Sequence, residues 1–100
     1  MDDPKALVYV IEDEEDIAKL IEFNLSLAGY SVSIYASAEE GLQQILIRPP
    51  SLILLDIMLP GMSGLDLCKN LKVFEKTSSI PIMMLSAKGE EEDIVSGLEH

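Results

Sequence analysis

Tryptophan is absent from these 100 residues, cysteine occurs once, and lysine and arginine together number only 7. Each scarcity excludes something. A single cysteine, Cys68, can close no internal disulfide, so a cross-linked scaffold is ruled out and a reducing compartment is favoured. Set against 18 aspartates and glutamates, the few cations leave a formal charge of −11. That charge repels nucleic acid phosphates and anionic lipid head groups, so this segment is expected to bind neither DNA nor a membrane surface. No apolar run approaches the roughly 20 residues of a membrane-spanning helix. The first residues, Met1-Asp2-Asp3-Pro4, lack the basic start of a signal peptide, and the expected setting is the cytoplasm. Proline and glycine are sparse, at 5 and 6, in a chain that is 48% hydrophobic. With no repeat, linker or low-complexity stretch, residues 1–100 read as one domain with one core.

What is present is an alternation of strand and helix patterns. Ala6-Leu7-Val8-Tyr9-Val10-Ile11 is a continuous apolar run rich in β-branched residues, the pattern of a parallel strand buried on both faces. Ile17, Leu20, Ile21, Asn24, Leu25 and Ala28 recur at helical spacing before Gly29, a natural stop. Ser31 to Tyr35 alternates like a strand, and Ala38, Gly41, Leu42, Ile45 and Leu46 trace a helix face that Pro49-Pro50 ends. Leu52-Ile53-Leu54-Leu55 is a third strand running into Asp56, followed by a helix containing Leu65, Cys68 and Leu71. Ile80 to Leu85 is a fourth strand, and Ile94, Val95 and Leu98 suit a short helix over Glu90–Glu99 with an acidic first turn. Strands alternating with helices through short links predict an α/β fold with right-handed crossovers.

In such open sheets ligands bind at the carboxyl ends of the strands, where the strand order reverses. Here those ends are polar. Glu12 and Asp13 follow the first strand, Asp56 ends the third, and Ser86 follows the fourth. Three carboxylates gathered from two strands repel one another unless a cation lies between them, and carboxylate, carbonyl and water oxygens are the ligands Mg²⁺ accepts. An acidic run can also be no more than a solvated helix N-terminus, which is how Glu14, Glu15 and Asp16 are read. Ser86 has an ordinary alternative as a turn or cap residue. Cys68 reads as a small packed hydrophobe, and His100 as a chain-end residue without a ligand role.

The segment Leu54-Leu55-Asp56-Ile57-Met58-Leu59-Pro60-Gly61-Met62-Ser63-Gly64 resembles the phosphoacceptor segment of two-component response-regulator receiver domains. Val10-Ile11-Glu12-Asp13-Glu14 upstream and Ile80-Pro81-Ile82-Met83-Met84-Leu85-Ser86-Ala87 downstream extend the resemblance along nearly the whole chain. The stretch from Leu85 to Asp93 is most similar to receivers that precede winged-helix DNA-binding domains of the OmpR/PhoB type. The resemblance implies a flavodoxin-like (CheY-like) doubly wound sheet of order 2-1-3-4, and Asp56 as acceptor of a phosphoryl group from a sensor histidine kinase. It implies that Asp13, Asp56 and the Met58 backbone carbonyl ligate Mg²⁺, that Glu12 acts through a metal-bound water, and that Ser86 hydrogen-bonds the phosphoryl group.

Receivers also carry a fifth strand ending in a lysine, and a fifth helix, beyond the point where this sequence stops at His100. Lys88 is too close to Ser86 to be that lysine. The resemblance therefore implies a C-terminally incomplete receiver, with impaired chemistry and a tendency to form a homodimer or domain-exchanged dimer through the uncovered edge. Two other functions compete with the switch. One is an interaction segment that is not phosphorylated. The other is a Mg²⁺-dependent phosphatase with an aspartate nucleophile, disfavoured because Met58 stands where such enzymes need a second acid.

Overall fold

Hydrophobic periods of two kinds build this chain, and they separate cleanly in space. The computed structural model describes residues 5–56, 59 and 61–85. In chain order these form β1 (Leu7–Ile11), α1 (Glu15–Leu27), β2 (Ser31–Tyr35), α2 (Ala38–Ile47), β3 (Leu52–Asp56), α3 (Gly64–Val73) and β4 (Ile82–Leu85). The strands make one sheet of order β2-β1-β3-β4, with every neighbouring pair parallel. This is the expected order. The helix expected over Glu90–Glu99 lies outside the described residues.

Successive strand residues point to opposite faces, so each central strand feeds two cores. Tyr9, Ile11, Ile53, Leu55 and Met84 pack with Ala38, Ile45, Leu67 and Leu71 on the face covered by α2 and α3. Val8, Val10 and Leu54 pack with Ala18 on the other face, where α1 lies, joined by the partly buried Ile21, Leu25, Val32 and Ile34. Tyr9 also carries a polar handle. Its hydroxyl donates to the Arg48 carbonyl at 2.7 Å, its ring meets Tyr35 edge-on at 5.1 Å, and burial raises its pKa.

The helix ends have local causes. Gly29, at φ +98°, lets the chain leave α1: its N–H bonds to the Ser26 carbonyl and the Tyr30 N–H reaches back to Leu25, a Schellman closure. The Ser37 hydroxyl accepts from the Glu40 N–H at 3.2 Å to cap α2, and Ser63 accepts from Asp66 at 3.1 Å to cap α3. Arg48 ends α2 in an extended conformation, as a residue before proline must.

Three details depart from the sequence pattern. On α1 the core-facing residues are Ala18, Ile21 and Leu25, whereas Ile17 and Leu20 are 38% and 64% exposed. Apolar residues cover more than half of that helix, and packing against Val8, Val10, Val32 and Ile34 chose between adjacent faces. On α3 the buried side is Gly64, Leu67 and Leu71, leaving Leu65 exposed and Cys68 half-buried. β4 begins at Ile82 because Pro81 has no N–H to donate; its carbonyl still accepts from the Ile53 N–H at 3.0 Å.

Candidate functional site

The chain leaves β1 to form β2 on one side, then crosses back so that β3 lies on the other side of β1. The strand order reverses there, which opens a crevice at the carboxyl ends of β1 and β3. Ile11 pairs with Leu55, so the next residue on each chain, Glu12 and Asp56, arrives at that crevice side by side. The Glu12 N–H donates to the Tyr35 carbonyl at 3.0 Å, which ties the end of β1 to β2.

Glu12 and Asp56 are only 5% and 3% exposed, while Asp13 faces solvent. Each of the three offers a carboxylate oxygen, and these oxygens all lie within 4.8 Å of one another. Such crowding has an electrostatic cost. Burial pushes the Glu12 carboxyl up to about 7, and a hydrogen bond to Asp56 together with the charges of Asp56 and Asp13 push the same way. The Glu14 N–H, donating to Glu12 Oε2 at 3.1 Å, opposes the shift. In the metal-free chain a proton on Glu12 therefore lowers the repulsion that a cation would otherwise neutralise. An all-oxygen donor set, partly buried and over-supplied with negative charge, fits a hard divalent cation such as Mg²⁺.

A cleft of about 360 Å³ extends from this cluster toward β2 and α2, lined by Glu12, Asp13, Glu15, Ala18, Lys19, Ile34, Ala36 and Glu40. The Glu15–Lys19 pair on its rim, at 3.6 Å, is well exposed and adds little stability. The turn after β3 is held from a distance: the Met62 N–H donates to Glu39 Oε2 at 3.2 Å.

Of the residues singled out in the sequence, Glu12, Asp13 and Asp56 come together. Met58 and Ser86 lie outside the described residues. Glu39 was missed, because its partner is 23 residues away and an acidic residue in a first helical turn has a sufficient local explanation in the helix dipole.

A parallel sheet of this order, with an acid pocket at its reversal point, defines a flavodoxin-like α/β domain of the CheY-like type. Residues 8–100 match the family described as the response regulator receiver domain, and the chain belongs to that family. It is 42% identical over 92 residues to the alkaline phosphatase synthesis transcriptional regulatory protein PhoP of Bacillus subtilis (strain 168), covering 92% of this chain and 38% of that protein. It is 41% identical to the phosphate regulon transcriptional regulatory protein PhoB of Rhizobium meliloti (strain 1021), covering 91% of this chain and 40% of that protein. The chain thus spans about two fifths of the length of the curated relatives it matches. Among solved structures, the N-terminal domain of a response regulator receiver protein from Methanoculleus marisnigri JR1 superposes with a TM-score of 0.81 at 31% identity, covering 91% of this chain and 74% of that one. The Vibrio cholerae chemotaxis protein CheY4 gives 0.82 at 26% identity, covering 94% and 78%. The chain is a receiver domain of the PhoP/PhoB kind, a class whose general function is signalling by phosphorylation. Among the described residues no helix is long and apolar enough to cross a membrane.

Proposed function

We propose that this domain is a cytoplasmic switch that takes a phosphoryl group from a sensor histidine kinase onto Asp56 and thereby changes a regulated output, such as transcription driven by an attached DNA-binding domain. The observation that carries this reading is the position of Asp56. It ends a central strand at the reversal point, 3% exposed, with an oxygen within 4.8 Å of those of Glu12 and Asp13. In the transfer an Asp56 carboxylate oxygen attacks phosphorus and forms an O–P bond. The N–P bond of the donor phosphohistidine breaks, its electron pair stays on the imidazole nitrogen, and water supplies the proton that the departing imidazole takes up. The product is an acyl phosphate, and attack of water on it resets the switch without a classical enzymatic cycle.

Asp13, Asp56 and the Met58 carbonyl are assigned to hold Mg²⁺, with Glu12 acting through a bound water. When bound, Mg²⁺ supplies the positive charge that offsets the negative charge of the phosphoryl oxygens against this carboxylate cluster. Glu12 serves that arrangement as the anion, so it must release its proton when a cation is held. The Ser86 hydroxyl is assigned to donate to a phosphoryl oxygen. The mutual orientation of these groups contributes more than covalent chemistry, because phosphoryl transfer depends chiefly on positioning and charge neutralisation. Phosphorylation is read out as a shift between two conformations, and a homodimer is one form in which it would be read.

The test is incubation with acetyl phosphate and Mg²⁺, followed by intact mass, beside Asp56→Asn. A single phosphoryl adduct that needs both Mg²⁺ and Asp56 is expected. No adduct in the unmutated chain, while a kinase still binds it, would leave an interaction segment as the better description.

A further inference from the structure

We infer that α1 of one copy of this domain docks on α3 of the next, a head-to-tail contact between two faces that a single copy leaves uncovered. Ala18, Ile21 and Leu25 turn one side of α1 to the sheet. On the side away from them, Asp16, Leu20, Phe23 and Leu27 follow one another at steps of four, three and four residues. That is the repeat by which one helix seats against another. The three apolar members are 64%, 62% and 72% exposed. Apolar residues scattered singly over a surface need no partner, but three along one line of a helix form a stripe whose burial is favourable. α3 has the same double character. Gly64, Leu67 and Leu71 are its buried side, while Leu65 and Val73 are 56% and 79% exposed, with Lys69 midway between them and Lys72 beside it.

Charge selects the pairing. In α1, Glu15, Asp16 and Glu22 outnumber Lys19; α2 contains Glu39 and Glu40 and no cation; in α3, Lys69 and Lys72 outnumber Asp66. α3 is thus the one helix among the described residues with an excess of positive charge, on a chain whose formal charge is −11. Packing α1 on a second α1 would bring like charges together, whereas α1 on α3 sets carboxylates against ammonium groups. Lysine stems also cover apolar surface while their heads stay charged, so Lys69 and Lys72 suit the stripe and its carboxylates together. A cation in the last helical turn has a simpler role in offsetting the helix dipole, but that role accounts for Lys72 and not for Leu65 or Val73. α1 and α3 cover opposite faces of the sheet. No copy can pair its own two helices, so the contact is heterologous. It is small and opposed by like net charge, and so it is weak, forming as concentration rises and separating at the dilution of an unfolding assay. Glu15 and Lys19 of the same helix line the cleft beside the acid cluster, so the contact borders the candidate site.

The experiment is sedimentation equilibrium on the unmutated chain, on Phe23→Glu and Val73→Glu alone, and on the two variants mixed, with thermal unfolding as a control on the fold. Both positions are exposed, so both variants are expected to unfold cooperatively; Leu20→Ser and Lys72→Glu serve as second variants on the same two faces. The average mass of the unmutated chain is expected to rise with concentration and to pass twice the monomer mass, since a heterologous contact leaves a free face at each end. Each variant alone is expected to stay monomeric. The equimolar mixture is expected to associate and to stop at twice the monomer mass, because Phe23→Glu keeps α3 intact and Val73→Glu keeps α1. An unmutated chain that stays monomeric overturns the inference and leaves the two faces to other proteins. A dimer that both variants lose and the mixture fails to restore overturns it too, since one face then meets itself. Association that neither variant weakens lies elsewhere on the surface and overturns it equally.

Discussion

On the sheet face beneath α2 and α3, Ile11, Ile45, Ile53, Leu55, Leu67 and Leu71 all reach 0% exposure, whereas on the α1 face Val10 alone does among the described core residues. Most of the apolar residues on the α1 side, including Leu52, Met83 and Leu85 toward β4, are only partly buried. The helix that covers that face contributes an alanine as its one buried residue. The acidic cluster lies toward that side: Glu12 lines the cleft with Ala18 and Ile34, residues of the α1 face. Ile11 and Leu55 sit in the dense core immediately before Glu12 and Asp56, so the residues that lead into the acidic cluster are among the most deeply buried of the described chain.

Adjacent leucines on β3 offer the sharpest way to break this comparison, since Leu54 and Leu55 differ only in the face they enter. Leu55→Ala is expected to cost about 3–4 kcal/mol and Leu54→Ala about 2–3 kcal/mol, because the site beside Ala18 can relax or admit water more easily. Urea unfolding with matched m-values measures both, and equal losses would show the faces to be energetically alike. The dense side makes a second demand at Gly41, where a Cβ would lie 3.0 Å from Ile11 Cγ1 and closer still to its terminal methyl. Gly41→Ala is expected to destabilise by about 1–3 kcal/mol despite its better helix propensity. A stabilised variant would mean that Ile11 repacks freely.

The thin side should respond to pH instead. Glu12 has a folded pKa of about 7 against an ordinary value of 4.5, so between those values the folded state holds more proton than the unfolded state. Stability of the metal-free chain is therefore expected to fall as pH rises from about 4.5 through 7, with a slope corresponding to at most one proton. Glu12→Gln should remove most of that slope, and Mg²⁺ should restore stability at the high-pH end. Melting temperatures across this range check the sign, and a rise in stability toward pH 7 that Glu12→Gln leaves unchanged would place the controlling group elsewhere. The smallest effect is expected on the outer surface of α1. Leu20→Ser, at a position 64% exposed, should change stability by less than about 0.5 kcal/mol; a larger loss in the same unfolding assay would mean that this surface is covered in solution.

The strand positions and the acid pocket were legible in the residues for different reasons, whereas the order 2-1-3-4 was implied by the resemblance to receiver domains. Unbroken runs such as Val8 to Ile11 and Ile53 to Leu55, bounded by turn residues, have the pattern of strands buried on both faces, and short links between strands and helices favour right-handed crossovers. Glu12, Asp13 and Asp56 stood out because charge at the end of an apolar strand needs a cause. The side of α1 that enters the core was less legible, since Ile17, Leu20, Phe23 and Leu27 are as apolar as Ile21 and Leu25 and differ from them only in what they face.

What the chain order of residues determined by itself is local: where strands and helices form, how they end at Gly29, Ser37 and Ser63, and which acids stand at strand ends. Those follow from period, backbone preference and short-range hydrogen bonds, each spanning a few residues. Tertiary structure alone decided how heavily each face is packed, how far Glu12 holds its proton, and that Glu39 lies over Gly61 and Met62. These depend on burial and on groups brought together from distant positions, and neither desolvation nor a hydrogen bond across 23 residues has any signature in a neighbouring pair of letters.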